Sequence, residues 1–144
     1  MDPPSKPRKP KAAFELATTA LARRAFSVQG LRERMARAGV DPVEIEDVIG
    51  RLRDGGVLDD ERFAGDRARG LAERGKGDAA IRFDLQRQGV GAEQIEEAVA
   101  ALEAELERAE HIVARRGASA ATARLLASRG FDPDAVEAAV ASST

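Results

Sequence analysis

The chain is expected to be all-α, with three tandem three-helix repeats stacked into an elongated array that can curve. Three observations lead there. A segment recurs three times, as LRERMARAGVDPVEIEDVI from Leu31 to Ile49, IRFDLQRQGVGAEQIEEAV from Ile81 to Val99, and a more worn TARLLASRGFDPDAVEAAV from Thr122 to Val140. Apolar residues inside and around the copies fall at helical spacing. The apolar content comes largely from Ala, and all five aromatics are Phe, a composition that favours helix over sheet. Laid on Gly39, Gly89 and Gly130, the copies keep one order. An apolar residue (Met35, Leu85, Leu126) stands four before the glycine, another (Val40, Val90, Phe131) follows it, and paired anchors come next: Ile45 and Ile49, Ile95 and Val99, Val136 and Val140. Such a repeat reads as small helical units, each burying one face against its neighbour.

Residues 1–11 carry four Pro and four basic residues without periodicity and read as a disordered basic tail. The first repeat, 12–56, opens with a helix over about 12–25. Its expected stripe is Phe14, Ala17, Leu21 and Ala25, with Leu16 off the stripe toward a neighbouring unit. Ser27 caps a second helix burying Leu31, Met35 and Ala38, which Gly39 ends in the left-handed conformation. Asp41 caps the third helix, Pro42 sits where its missing N–H costs nothing, and Glu44 completes a capping box. Ile45, Val48, Ile49 and Leu52 form its buried stripe, and Gly55-Gly56 ends the unit. The second repeat, 57–107, follows the same plan. Asp59 or Asp60 caps a helix carrying Phe63, Ala64, Ala68 and Leu71 inward, Gly75-Lys76-Gly77 breaks the chain, and the next helix buries Ile81 and Leu85. A third helix buries Ile95, Val99, Leu102 and Leu106. No Gly or Pro lies between Ala92 and Arg116, so one long helix is expected there, or two joined by a kink. The third repeat, 108–144, turns Ile112 and Val113 inward, ends its first helix at Gly117, turns at Gly130 and opens its last helix at Asp132-Pro133, repeating the Asp41-Pro42 device. It is shorter than the others, as a capping repeat should be.

Composition excludes several classes of function. With no Cys and one His, His111, disulfides, thiolate chemistry, Cys-ligated zinc and a Ser-His-Asp triad are out of reach. No cofactor or metal is expected, and the reading is not that of an enzyme. No apolar run approaches the roughly 18 residues of a membrane span, and the N-terminus lacks the apolar core of a secretory signal. A soluble cytoplasmic protein, monomeric and without a membrane partner, is the expectation.

The net charge of −2 hides strong banding. Residues 1–40 balance to +6, 41–66 to −6, 67–89 to +3 and 90–144 to −5. A basic band suits phosphates or an acidic partner, whereas Arg and Glu also simply solubilise Ala-rich helices. In the first repeat Arg23, Arg24, Arg32, Arg34 and Arg37 cluster; in the second, Arg69 points away from the core while Lys76, Arg82 and Arg87 surround the glycine turn and the helix after it. Arg67 and Arg74 lie near the apolar face and would clamp neighbouring helices, with Asp59 or Asp60 as the candidate partners. Phe83, opposite Ile81, is expected against an adjacent unit, with exposure as an interface anchor the alternative. Glu93, Glu96, Glu97, Glu103, Glu107 and Glu110 read as a solvated acidic face, and His111 as a surface residue.

The stretch GVLDDERFAGDRARGLAERGKGDAAIRFDLQRQGV, 56–90, contains three adjacent acids. As metal ligands, Asp59 and Asp60 would point different ways with no further carboxylate or His to complete a site, so a capping role at a helix N-terminus fits better. Gly75-Lys76-Gly77 lacks the upstream Gly, the trailing Ser/Thr and the preceding strand of a phosphate loop. The stretch resembles the hallmark of the RecX family, regulators of the recombinase RecA, through Leu58, Asp59, Asp60, Arg62, Phe63 and Ala64, then Gly75, Lys76, Gly77, Ile81, Leu85 and Gly89. Val57 stands where the family usually has an aromatic, and Phe83 where it has a polar residue. The resemblance implies tandem three-helix repeats that lie in the groove of the RecA filament on single-stranded DNA, impede its growth and lower its recombinase, ATPase and coprotease activities. Arg23, Arg24, Arg32, Arg34, Arg37, Arg69, Lys76, Arg82 and Arg87 would then be the contacts to filament and DNA. Two other readings compete: a stand-alone helical DNA-binding module built on helix–turn–helix-like units, opposed by the acidic net charge and the lack of Tyr and Trp for stacking, and a helical adaptor for another protein.

Overall fold

The computed structural model describes residues 10–143, and every regular element among them is an α-helix. The helices are α1 (Pro10–Arg23), α2 (Val28–Arg37), α3 (Pro42–Asp54), α4 (Asp60–Glu73), α5 (Asp78–Arg87), α6 (Ala92–Ala100), α7 (Glu105–Arg116), α8 (Ala120–Ser128) and α9 (Pro133–Ser142). The expectation of an all-α tandem helical fold holds. The chain divides into two compact units: residues 1–63 with 88–90, and 64–87 with 91–144. Of the expected basic tail, residues 1–9 lie outside the described residues, while 10 and 11 already belong to α1.

The threefold pattern has a direct structural meaning. Gly39, Gly89 and Gly130 take φ of 83°, 79° and 88°, the left-handed conformation that closes a helix and that a β-carbon penalises. The apolar residues four before them, Met35, Leu85 and Leu126, have no accessible surface. The residues just after them, Val40, Val90 and Phe131, are buried, as are the anchors Ile45, Ile49, Ile95, Val99 and Val136, and Val140 packs at the edge of the same core. Each copy is therefore a helix–turn–helix whose two helices close over one apolar seam. In the first unit, α1 and α2 pack on α3 around Leu31, Met35, Ile45, Val48, Ile49 and Leu52. In the second, α5 packs on α6, and α7, α8 and α9 enclose Ile112, Val113, Leu126 and Phe131.

Four local expectations need correction. The buried stripe of α1 is Ala13, Ala17 and Ala20, with Phe14, Leu16 and Leu21 at its margin, and Ala25 is exposed because the helix stops at Arg23 and Phe26 takes the inward place. Glu44 closes no capping box: Asp41 accepts from the Val43 amide at 2.9 Å, but Glu44 Oε2 is buried without a partner. Asp132-Pro133 does open the last helix, with Asp132 at its N-cap and Pro133 in its first turn, but unlike Asp41 the Asp132 side chain caps nothing and its amide donates to Glu105 Oε1 at 3.1 Å. Between Ala92 and Arg116 the chain takes the second of the two forms expected, two helices, though parted by a break at residues 101–104 and not by a mere kink. That break rephases the chain, so Leu106 faces out, 39% exposed.

Candidate partner-binding surface

The Leu58–Phe63 motif is a structural device. Leu58 and Phe63 are buried. Asp59 Oδ1 accepts from the Arg62 amide at 3.2 Å and so caps α4. Asp60 turns elsewhere and accepts from the amide of Val28, the first residue of α2, at 2.8 Å. The Arg62 guanidinium donates to the carbonyls of Gly56 and Val57 at 3.1 and 3.0 Å, closing the chain end behind α3. Both carboxylates are thus engaged with free helix N–H groups, where negative charge is favoured. Val57 is half exposed, so an aromatic would find little of this chain to pack against there.

The same contact occurs once in each unit. In the first, Ser27 Oγ caps α2 by accepting from Gly30 N at 2.9 Å and donates to the Gln88 carbonyl beside Gly89, while Asp60, the first residue of α4, holds the first amide of α2. In the second, the Gly77 amide donates to the Arg129 carbonyl beside Gly130 at 2.8 Å. Glu105, the first residue of α7, accepts from the first amide of α5, that of Asp78, at 2.6 Å. Gly77 has to be glycine: a β-carbon there would lie 2.4 Å from Phe131 N and 2.5 Å from the Gly130 carbonyl group. The turn amides are all occupied, with Gly75 N on Ala72 O, Lys76 N on Leu71 O and Gly77 N on Arg129 O. Gly75-Lys76-Gly77 is therefore a packing turn with no N–H left for a phosphate.

The nine basic residues expected to meet a partner differ in what already holds them. Arg32 binds Glu46 through Nε at 2.7 Å and Nη2 at 3.2 Å, and also reaches Gln29. Arg82 binds Glu96 the same way, at 2.9 and 3.2 Å. The two pairs occupy equivalent places in the first and second copies and tie the middle helix of each to the helix after it. Hydrogen bonding to Arg32 holds the Glu46 carboxyl below its ordinary range, and the carboxylates raise both arginines. The third copy has Ala123 in the arginine position and lacks the pair. Arg69 is exposed and paired with Asp66. Arg24 stacks over Phe26 at 3.8 Å from the ring centroid, and Arg87 lies 5.9 Å from the Phe83 ring. The side chains of Arg23, Arg34, Arg37 and Lys76 have no carboxylate partner among the described residues and are exposed. Arg23 and Arg34 line one surface groove of about 380 Å³ in the first unit.

Of the two other arginines, Arg67 pairs with half-buried Asp84 of α5, which raises its pKa, and not with Asp59 or Asp60. Among the described residues the Arg74 side chain donates to one group, the Gly70 carbonyl of α4, the helix it follows. Phe83 is 61% exposed, so of the two places considered for it, the structure gives the outward one. Glu96 and Glu103 are not merely solvated: the first holds Arg82, and Oε1 of the second accepts from exposed His111 Nε2 at 2.9 Å. Sequence reasoning missed Arg108 altogether. It is 9% exposed, binds Asp78 at 2.8 Å and donates to the carbonyls of Lys76 at 3.0 Å and Glu103 at 3.2 Å. Its only sequence signal is a cation among the inward-facing positions of α7.

Among the described residues no group of His, Cys, Asp and Glu is placed to hold a metal, and no helix is long and apolar enough to cross a membrane. Comparison with known proteins adds the kinship. Residues 13–52 match the model of the RecX first three-helix domain, and residues 59–99 that of the second. The regulatory protein RecX of Halorhodospira halophila is 34% identical over 141 residues, covering 91% of this chain and 88% of the relative. That of Xanthomonas axonopodis pv. citri is 33% identical over 141 residues, covering 91% and 87%. The crystal structure of RecX from Lactobacillus salivarius superposes with a TM-score of 0.79 at 16% identity, covering 92% of this chain and 95% of that one, a likeness of fold. A buried three-copy pattern, a capping motif at Leu58–Phe63 and matches to both domain models converge on one conclusion: the chain belongs to the RecX family of regulatory proteins.

Proposed function

We propose that this protein is a negative regulator of the RecA recombinase, binding the RecA filament on single-stranded DNA and opposing its extension, ATP hydrolysis, strand exchange and coprotease activity. Membership of the RecX family supports the regulatory role, and the observation that supports a charged contact is the set Arg23, Arg34, Arg37 and Lys76. Among the described residues these long cations have no carboxylate to release before a partner binds. Arg24, Arg69 and Arg87 would join them after giving up weak surface contacts, each worth at most about 1 kcal/mol. Arg32 and Arg82 contribute through their outward edges while staying clamped to Glu46 and Glu96. Acidic loops of the recombinase or phosphates of its DNA meet these residues, and occupation of the filament groove blocks both protomer addition and the path of partner DNA. The protein acts as a cytoplasmic monomer, without catalysis of its own.

The test is charge reversal. Replacing Arg69, Lys76 and Arg82 by Glu, with circular dichroism to verify helicity, is expected to abolish inhibition of RecA strand exchange. Full inhibition by the folded triple variant would remove these residues from the contact.

A further inference from the structure

A second groove lies wholly within the second unit, and none of its arginines is among the residues proposed to meet the recombinase. It holds about 390 Å³ and is lined by Arg74, Arg115, Arg116 and Arg129, with Glu73 at the rim and buried Ile112 at the base. The arginines arrive from three helix ends: Arg74 just beyond α4, Arg115 and Arg116 in the last turn of α7, and Arg129 just beyond α8. Cations commonly gather at helix C-termini to offset the dipole, whose end carries about half a negative charge. Three such ends take about 1.5 charges from the formal +3 of four arginines and one glutamate, so the groove keeps a net positive charge.

Two details separate this groove from the ion-paired surface elsewhere. Among the described residues, none of the four guanidiniums is bound to a carboxylate, whereas Arg32, Arg67, Arg69, Arg82 and Arg108 all are. The Arg129 guanidinium is also seated over Gly75, where a β-carbon would lie 2.7 Å from Nη1. The glycine turn thereby makes room for a cation at the groove.

We infer that the Arg74–Arg115–Arg116–Arg129 groove is a binding site for the phosphodiester backbone of a nucleic acid strand. Arginine forks match phosphate oxygens bidentately, and four of them exceed what one protein carboxylate engages. No aromatic side chain lines the groove and its apolar floor is one buried isoleucine. That leaves no platform for bases and no anchor of the kind that dominates protein interfaces. Binding is therefore to backbone charge, indifferent to sequence and steeply dependent on salt.

The test uses the full chain and no recombinase, so its outcome is separate from that of the filament reading. Fluorescein-labelled oligo-deoxythymidine is titrated at a series of salt concentrations against the wild type, Arg115→Ala/Arg116→Ala, and Arg124→Ala as an exposed arginine outside the groove. Labelled polyglutamate serves as the carboxylate probe. The double variant is expected to bind oligo-deoxythymidine at least about tenfold more weakly and to lower the slope of log K against log salt by roughly 1 to 1.5, the loss of two phosphate contacts, with Arg124→Ala unchanged. Should the double variant lose helicity, Arg74→Gln carries the same test. Any one of three results overturns the inference: no oligonucleotide binding by the wild type, an equal loss in Arg124→Ala, or a loss confined to polyglutamate.

Discussion

Gly77→Ala is expected to be among the most damaging single-methyl additions this chain offers. The new β-carbon would stand 2.4 Å from Phe131 N and 2.5 Å from the carbonyl carbon and oxygen of Gly130. All three obstacles are backbone, so no rotamer change relieves them. The 129–131 turn must withdraw, and withdrawal breaks the Gly77 N–Arg129 O bond at 2.8 Å and the Ala79 N–Gly130 O bond at 3.2 Å. At about 1 kcal/mol each these amount to about 2 kcal/mol. Phe131, 4% exposed in the core of α7, α8 and α9, loses part of a burial worth about 1.5–3 kcal/mol. The expected destabilisation is about 3–4 kcal/mol. Gly50 is the control: it lies inside α3 with nothing within 4 Å of its notional β-carbon, so Gly50→Ala should stabilise by about 0.5–1 kcal/mol through helix propensity alone. Urea unfolding followed by helical circular dichroism measures both. A Gly77→Ala protein within about 1 kcal/mol of wild type would refute the close turn-to-turn contact.

Two further predictions follow from charged pairs. Arg108→Met should cost about 2–4 kcal/mol, because it strands Asp78 and the Lys76 and Glu103 carbonyls in a largely buried place. Arg108→Lys should not restore the loss, since an ammonium cannot span three acceptors as the fork does; unfolding midpoints of both variants check this. Glu46 has its pKa lowered in the folded state by Arg32, so its contribution to stability is fully present above the unfolded-state pKa and fades as pH falls through the folded one. Glu46→Gln should therefore flatten the dependence of stability on pH from the ordinary glutamate range downward while changing nothing in its shape near neutrality, which acid titration of the unfolding midpoint reads directly.

Much of the fold was legible because its determinants are local. A glycine at the end of a helix, an apolar residue four before it and a β-branched anchor after it report on chain direction and burial at once, and all three copies fold as that pattern requires. The parting of α6 from α7 was not legible, since residues 101–104 contain neither Gly nor Pro. The break is fastened from outside the segment, by Arg108 on the Glu103 carbonyl and by Glu105 reaching the amides of Asp78 and Asp132. Leu106 was misplaced for the same reason. The basic residues show the opposite limit. Charge could be counted along the chain, but which arginines are already held depends on which carboxylate lies across the helix pair. The Arg32–Glu46 and Arg82–Glu96 correspondence was present in the repeat and is the signal that separates them from Arg23, Arg34 and Arg37. Asp59 and Asp60 were rightly placed at a helix start, yet only the folded chain divides their labour between α4 and α2.

The regulatory reading is tested most directly by DNA-dependent ATP hydrolysis of the cognate RecA on single-stranded DNA, with this protein titrated into preformed filaments. A progressive fall in hydrolysis at less than one protein per RecA protomer is the expected result, and its stoichiometry separates capping of filament ends from binding along the groove. Hydrolysis unchanged by protein shown to be folded by circular dichroism would contradict the account and leave a helical adaptor with a different partner.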